Sequence, residues 1–78
     1  MNNLVLEIMK LALEINTEEK NTMICNFNGH CLGFECSVYK NGWKEYTNPD
    51  FRKIVFFDME GTSEKLNEIL RYLKNLKN

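Results

Sequence analysis

Thr22-Met23-Ile24-Cys25-Asn26-Phe27-Asn28-Gly29-His30-Cys31-Leu32-Gly33-Phe34-Glu35-Cys36-Ser37-Val38-Tyr39 contains two short apolar alternations set back to back. Met23, Cys25 and Phe27 recur at every second residue before Asn28-Gly29, and Leu32, Phe34, Cys36 and Val38 do so after it. Successive side chains on a strand point to opposite faces, so each set lines one face of its strand. Asn and Gly tolerate the positive φ of a tight turn, which makes the two runs antiparallel neighbours. Pairing across a two- or four-residue loop puts both sets on one side, the core side. Ile24, Asn26, Cys31, Gly33, Glu35, Ser37 and Tyr39 then share the outer side.

Downstream, a second dipeptide, Asn41-Gly42, marks another turn, and Thr47-Asn48-Pro49-Asp50 is a further turn cluster in which Pro49 cannot donate to a ladder. The return strand is placed at residues 52–59. With Asp58 facing water, Val55, Phe57 and Met59 point inward and Ile54 and Phe56 outward. Upstream, Leu4, Ile8, Leu11, Ala12 and Ile15 recur at helical steps, widened by Val5 and Met9, and the helix ends between Asn16 and Asn21. After Gly61, Thr62 or Ser63 can accept from free amides as an N-cap, and Leu66, Ile69, Leu70, Leu73 and Leu76 form a second helical stripe. One antiparallel sheet with both helices on its inner face satisfies every apolar set. The expected fold is α+β: a three-stranded antiparallel meander with two helices on one face, in the order α-β-β-β-α, as a single domain of residues 1–78.

Seventy-eight residues, 44% hydrophobic and 27% charged, suit one small globular domain rather than a disordered chain. The net charge of -1 exerts no overall pull toward nucleic acid or anionic lipid. Acids precede bases in the last helix (Glu64 and Glu68, then Arg71, Lys74 and Lys77), an order that complements the helix dipole. Glu7, Lys10 and Glu14 interrupt the first apolar stretch, so it reads as neither a signal nor a membrane segment. Three cysteines agree with reduced thiols, and a cytoplasmic location is expected.

Cys25, His30, Cys31 and Cys36 have the donor types for zinc, but their spacing matches no common finger or ribbon. In the expected register Cys25 and Cys36 lie about two ladder steps apart, with Cys31 on the other side, so no metal or other cofactor is expected. Cys25 and Cys36 instead read as small buried hydrophobes. Cys31 and His30 diverge as neighbours on a strand, which leaves no nucleophile and base pair. Glu18-Glu19 and Asp58 with Glu60 form no convergent acid and base, and the four glycines form no phosphate-cradling loop. The expectation is a protein that is not an enzyme.

The outer face offers more. Ile24, Tyr39, Ile54 and Phe56, with Trp43 and Tyr46 near one rim, compose an apolar and aromatic surface suited to a host protein or to a second copy of the chain. The first alternative is a nucleic-acid accessory protein, with Lys44, Arg52, Lys53 and Lys74 on phosphates and the interleaved rings stacking on bases; the last is a small zinc or thiol protein, with stoichiometric zinc or a reactive Cys31.

Asn28-Gly29-His30 after an apolar strand, Val38-Tyr39-Lys40-Asn41-Gly42-Trp43 at the end of the second, and the terminal Leu66-Asn67-Glu68-Ile69-Leu70-Arg71-Tyr72-Leu73 helix carry a resemblance. The chain resembles small phage- and prophage-encoded proteins of low-GC Gram-positive bacteria. The resemblance implies an accessory phage protein acting by stoichiometric binding to a host factor, as small anti-CRISPR and other anti-defence proteins do. It transfers no catalytic residue, and the chain lacks the acidic surplus usual in DNA mimics.

Overall fold

The structure, a computed structural model, describes residues 2–77; Met1 and Asn78, the ends of the expected domain, lie outside the described residues. Helix α1 (Asn2–Ile15) leads into strands β1 (Thr22–Asn28), β2 (Gly33–Tyr39) and β3 (Phe51–Phe56), and helix α2 (Thr62–Lys77) follows. The strands form one open antiparallel sheet in the order β1-β2-β3. The chain is therefore an α+β meander with a helix at each end.

Both helices lie on the inner face. Phe34, Cys36 and Val38 of β2 and Val55 of β3 are buried against Ile8, Ala12 and Ile15 of α1 and Leu66, Ile69, Leu70 and Leu73 of α2. These are the period-two and helical sets of the sequence, brought to one core. Phe51 adds an edge-to-face contact with Tyr72, ring centroids 4.0 Å apart. Asp50 ties the start of β3 to β2, donating its N–H to the Val38 carbonyl and accepting the Lys40 N–H on its carboxylate.

Of the two loop lengths expected between β1 and β2, the four-residue one forms. Asn28-Gly29 does not form a two-residue turn: Gly29–Cys31 make a single 3-10 turn, and Leu32 takes the left-handed conformation at φ 51°. Asn28 pairs with Gly33, which makes a four-residue loop and removes Leu32 and Cys31 from the strand. Leu32 is accordingly exposed instead of facing the core. The register also puts Cys25 directly opposite Cys36, not two ladder steps away.

Asn41-Gly42 does supply a positive φ, 83° at Gly42, but within the long connection 40–50. That loop docks on the α1–β1 connection, where Gly42 donates its N–H to the Lys20 carbonyl over 2.8 Å. β3 starts at Phe51 and stops at Phe56, three residues before the expected end, so Met59 is exposed in a turn and not inward. Phe57 still packs against the core, stacked with Phe27 at 6.0 Å between ring centroids.

The expected cap at Thr62 works in the opposite sense. Its buried hydroxyl donates to the Met59 carbonyl, 2.6 Å, while the Gly61 carbonyl accepts the first helical bond from Lys65 N–H. Gly61, at φ 80°, is thus the residue that turns the chain into α2.

Candidate functional site

The outer face carries Thr22, Ile24 and Asn26 from β1, Glu35, Ser37 and Tyr39 from β2, and Arg52, Ile54 and Phe56 from β3. No helix covers it. Ile54 and Phe56 are 41% and 38% exposed, and Ile24 and Tyr39 are half-buried, so all four lie where the alternation puts them. They do not make one apolar surface. In the register Ile24, Ser37 and Arg52 form one row and Asn26, Glu35 and Ile54 the next, and the Arg52 Nε donates to a Glu35 carboxylate oxygen over 2.7 Å. This ion pair divides Ile24 and Tyr39 from Ile54 and Phe56.

Trp43 and Tyr46, both exposed, sit in the connection 40–50, which joins the Tyr39 end of β2 to the Phe51 end of β3. Phe56 lies beside Gly33 at the other end of the sheet, five residues along β3 and roughly 17 Å away at about 3.3 Å per residue. The Phe56 ring closes over Gly33, so close that a Cβ added there would meet it at 3.3 Å. The six expected contact residues therefore fall into separate groups.

A second set of exposed apolar residues lies on α1 and β1. On α1, Leu13 is 81%, Leu6 64% and Met9 42% exposed, and Phe27 of β1 is 61% exposed. Met9 and Leu13 line a groove with Ala12, Asn16, Met23 and Cys25, and Leu6 lines a second, separate hollow with Val5, Phe27 and Phe57. The groove runs along the line where α1 meets β1. Phe27 is an inner-face residue, as the alternation requires, but it lies on the outermost strand and α1 leaves it uncovered.

That strand has an open edge. Phe57 donates its N–H to the Leu32 carbonyl, and backbone groups alternate in direction along an antiparallel ladder. Those of Phe34, Cys36 and Val38 therefore point to β3, and those of their partners Phe27, Cys25 and Met23 point away from β2. Asn16 caps the Met23 N–H through its side-chain oxygen at 2.8 Å. The N–H and C=O groups of Cys25 and Phe27 have no protein partner among the described residues. β1 also carries none of the charges or prolines that blunt an edge, whereas β3 carries Arg52 and Lys53.

The sequence reading missed Leu6 and Leu13. The available signal was the number of apolar residues in α1: Leu4, Val5, Leu6, Ile8, Met9, Leu11, Ala12, Leu13 and Ile15 are more than one face of a fourteen-residue helix can bury.

Of the four bases of the alternative reading, the two on β3 face opposite sides of the sheet. Arg52 faces outward, bonded to Glu35, and its neighbour Lys53 faces inward, where its Nζ reaches Glu68 at 2.7 Å. Lys74 is on α2 and Lys44 is in the loop after β2. The Lys53 and Lys77 ammonium groups hold the carboxyls of Glu68 and Glu14 below the ordinary carboxylate range, chiefly by hydrogen bonding.

Among the thiols, the Sγ atoms of Cys25 and Cys36 are 3.9 Å apart, and that of Cys31 turns to the Asn28 carbonyl at 3.6 Å. The described residues contain no group of three or more His, Cys, Asp or Glu placed to hold a metal ion. No helix among them is long and apolar enough to cross a membrane. Comparison with protein-family models, with curated proteins and with solved structures finds no match for this chain.

Proposed function

We propose that this chain is a protein-binding module, not an enzyme, and that its contact surface is the side formed by α1 and the open edge of β1. The observation that carries the reading is the placement of Leu6, Met9, Leu13 and Phe27, all exposed, beside an uncharged strand edge. Scattered exposed apolar residues are ordinary, but four in two hollows on the α1–β1 side, beside unpaired backbone groups, have the make-up of a recognition surface. The partner is a protein that presents an extended segment. Its backbone pairs with Cys25 and Phe27, and its side chains on one face enter the groove. On the resemblance to small phage-encoded proteins, the partner is a host protein and the role inhibitory, of the anti-CRISPR or wider anti-defence kind.

The outer sheet face is the second candidate surface, because Ile54 and Phe56 stay exposed on it. Affinity capture with immobilised wild type, Leu13→Asp and Phe56→Asp separates the two. Leu13 is largely exposed and Phe56 partly so, and circular dichroism of each variant checks that it is folded. A partner kept by wild type and Phe56→Asp but lost by Leu13→Asp supports the α1–β1 side, and the reverse pattern assigns binding to the outer face. Burying a carboxylate in a hydrophobic contact costs about 2 kcal/mol or more, a loss in affinity of roughly thirtyfold.

A further inference from the structure

Cys25 and Cys36 are the one pair of thiols that the register sets directly across from each other, and the reading above makes no use of their chemistry. Their pairing is of the non-hydrogen-bonded kind, because the backbone of Cys36 points to β3 and that of Cys25 to the free edge. Opposed residues at such positions have Cα atoms about 4.5 Å apart, inside the 4.4–6.8 Å range that a disulfide spans. The sulfurs are already 3.9 Å apart on the inner side of the sheet. A disulfide requires that separation to shorten to about 2.05 Å.

The two thiols differ in a way that assigns them separate tasks. Cys25 is half-buried and lines the groove with Met9, Leu13 and Met23, so a small reagent reaches it. Cys36 is fully buried between Cys25 and Lys53 in the same row. Hydrogen bonding from Cys36 lowers the Cys25 thiol below its ordinary range, and the same contact, with burial, raises Cys36. The accessible thiol is the one a reagent meets first, and the buried one stands behind it.

We propose that Cys25 and Cys36 form a redox-active dithiol that exchanges with small disulfides, with Cys25 attacking and Cys36 resolving. In the first step the Cys25 thiolate, its proton released to water, attacks one sulfur of a low-molecular-weight disulfide RSSR. A Cys25–SR bond forms, the S–S bond breaks, and RS⁻ leaves. Formation of the mixed disulfide removes the negative charge that held the Cys36 proton. In the second step Cys36 gives that proton up and attacks Cys25 Sγ, displacing the second RS⁻. The two released thiolates take up the two protons. The protein dithiol is oxidised by two electrons and RSSR is reduced to two RSH. Cys31, outside the pair and turned to the Asn28 carbonyl, takes no part.

The full-length protein is equilibrated with glutathione disulfide, unfolded in excess alkylating reagent and weighed intact, with peptide mapping of the linkage. The expected product in the Cys31→Ser background is two hydrogens lighter than the reduced chain, is unalkylated and contains a Cys25–Cys36 linkage. Cys36→Ser is expected to accumulate a stable glutathione adduct on Cys25, and Cys25→Ser to leave Cys36 free. Recovery of both thiols fully alkylated after oxidation, or a linkage that joins Cys31 to either partner in the wild type, overturns the proposal. Circular dichroism of each variant before oxidation establishes that the native register is being tested. If Cys36→Ser does not fold, Cys36→Ala, which keeps a small apolar side chain in the core, serves in its place.

Discussion

Replacing Gly42 by Ala puts a number on how the long loop after β2 is held. Gly42 sits at φ 83°, where an L side chain costs about 1–2 kcal/mol. A Cβ there would lie 2.8 Å from the Glu18 carbonyl oxygen, a backbone atom that cannot swing aside. The loop must therefore withdraw and stretch the 2.8 Å bond from Gly42 N–H to the Lys20 carbonyl, at a further cost of about 1 kcal/mol. The expected loss is about 2–3 kcal/mol. At about 0.05–0.15 kcal/mol per residue, a 78-residue domain has only about 4–12 in all, so the melting temperature should fall by roughly 10–20 °C. Gly61→Ala is the control: φ there is 80°, but no atom lies within 4 Å of the added Cβ. It should lose only the conformational part, about 1–2 kcal/mol. Urea unfolding followed by far-ultraviolet circular dichroism and by the fluorescence of Trp43, the single Trp, measures both. Equal losses for the two variants, or a Gly42→Ala loss under about 0.5 kcal/mol, would refute the docked-loop argument.

Phe34→Ala, which empties the largest fully buried side chain from the centre of the sheet, should cost about 3–5 kcal/mol in the same urea assay and leave the chain close to unfolded. The carboxyls of Glu14 and Glu68 are held below their ordinary value of 4.5 in the folded state, so their contribution is present above that pH and fades as pH falls through the lower folded value. Below about pH 4.5, wild type should therefore lose stability more steeply than Lys53→Gln or Lys77→Gln, by a small margin that vanishes at high salt because both pairs are exposed. With Arg52 and Lys53 facing opposite ways and each engaged by a carboxylate, a filter-binding titration at low salt should retain no single-stranded nucleic acid, and salt-sensitive retention would revive that alternative.

The α+β order was legible because two simple periods carry it. Alternation around Cys25 and Cys36 and the helical spacing of Ile8, Ala12 and Ile15 each bury one face, and only one layering covers all of them. The loops were less legible. Asn28-Gly29 has the composition of a two-residue turn, yet Leu32 takes the left-handed position of a four-residue loop. That choice sets the register and makes Cys25 and Cys36 partners. The outward pointing of Ile54 and Phe56 followed from Asp58 alone. The ion pair between Arg52 and Glu35, which splits that face, depends on which residues fall opposite one another across β2 and β3.

The exposed stripe of α1 was hidden for a different reason. Apolar spacing shows that Leu6, Met9 and Leu13 could be buried, but whether they are depends on the width of the layer beneath. Three strands under two helices are too narrow to cover both sides of α1, and the uncovered side falls at the β1 edge.

Residue-resolved hydrogen exchange of the protein with a captured partner tests the proposed surface most directly. The amides of Cys25 and Phe27 point to the free edge of β1, and those of Arg52, Ile54 and Phe56 to the free edge of β3, so each edge reports separately. Binding is expected to slow exchange at Cys25 and Phe27 by at least tenfold and to leave the three β3 amides unchanged. Unchanged exchange at Cys25 and Phe27 in the saturated complex would contradict strand addition at β1.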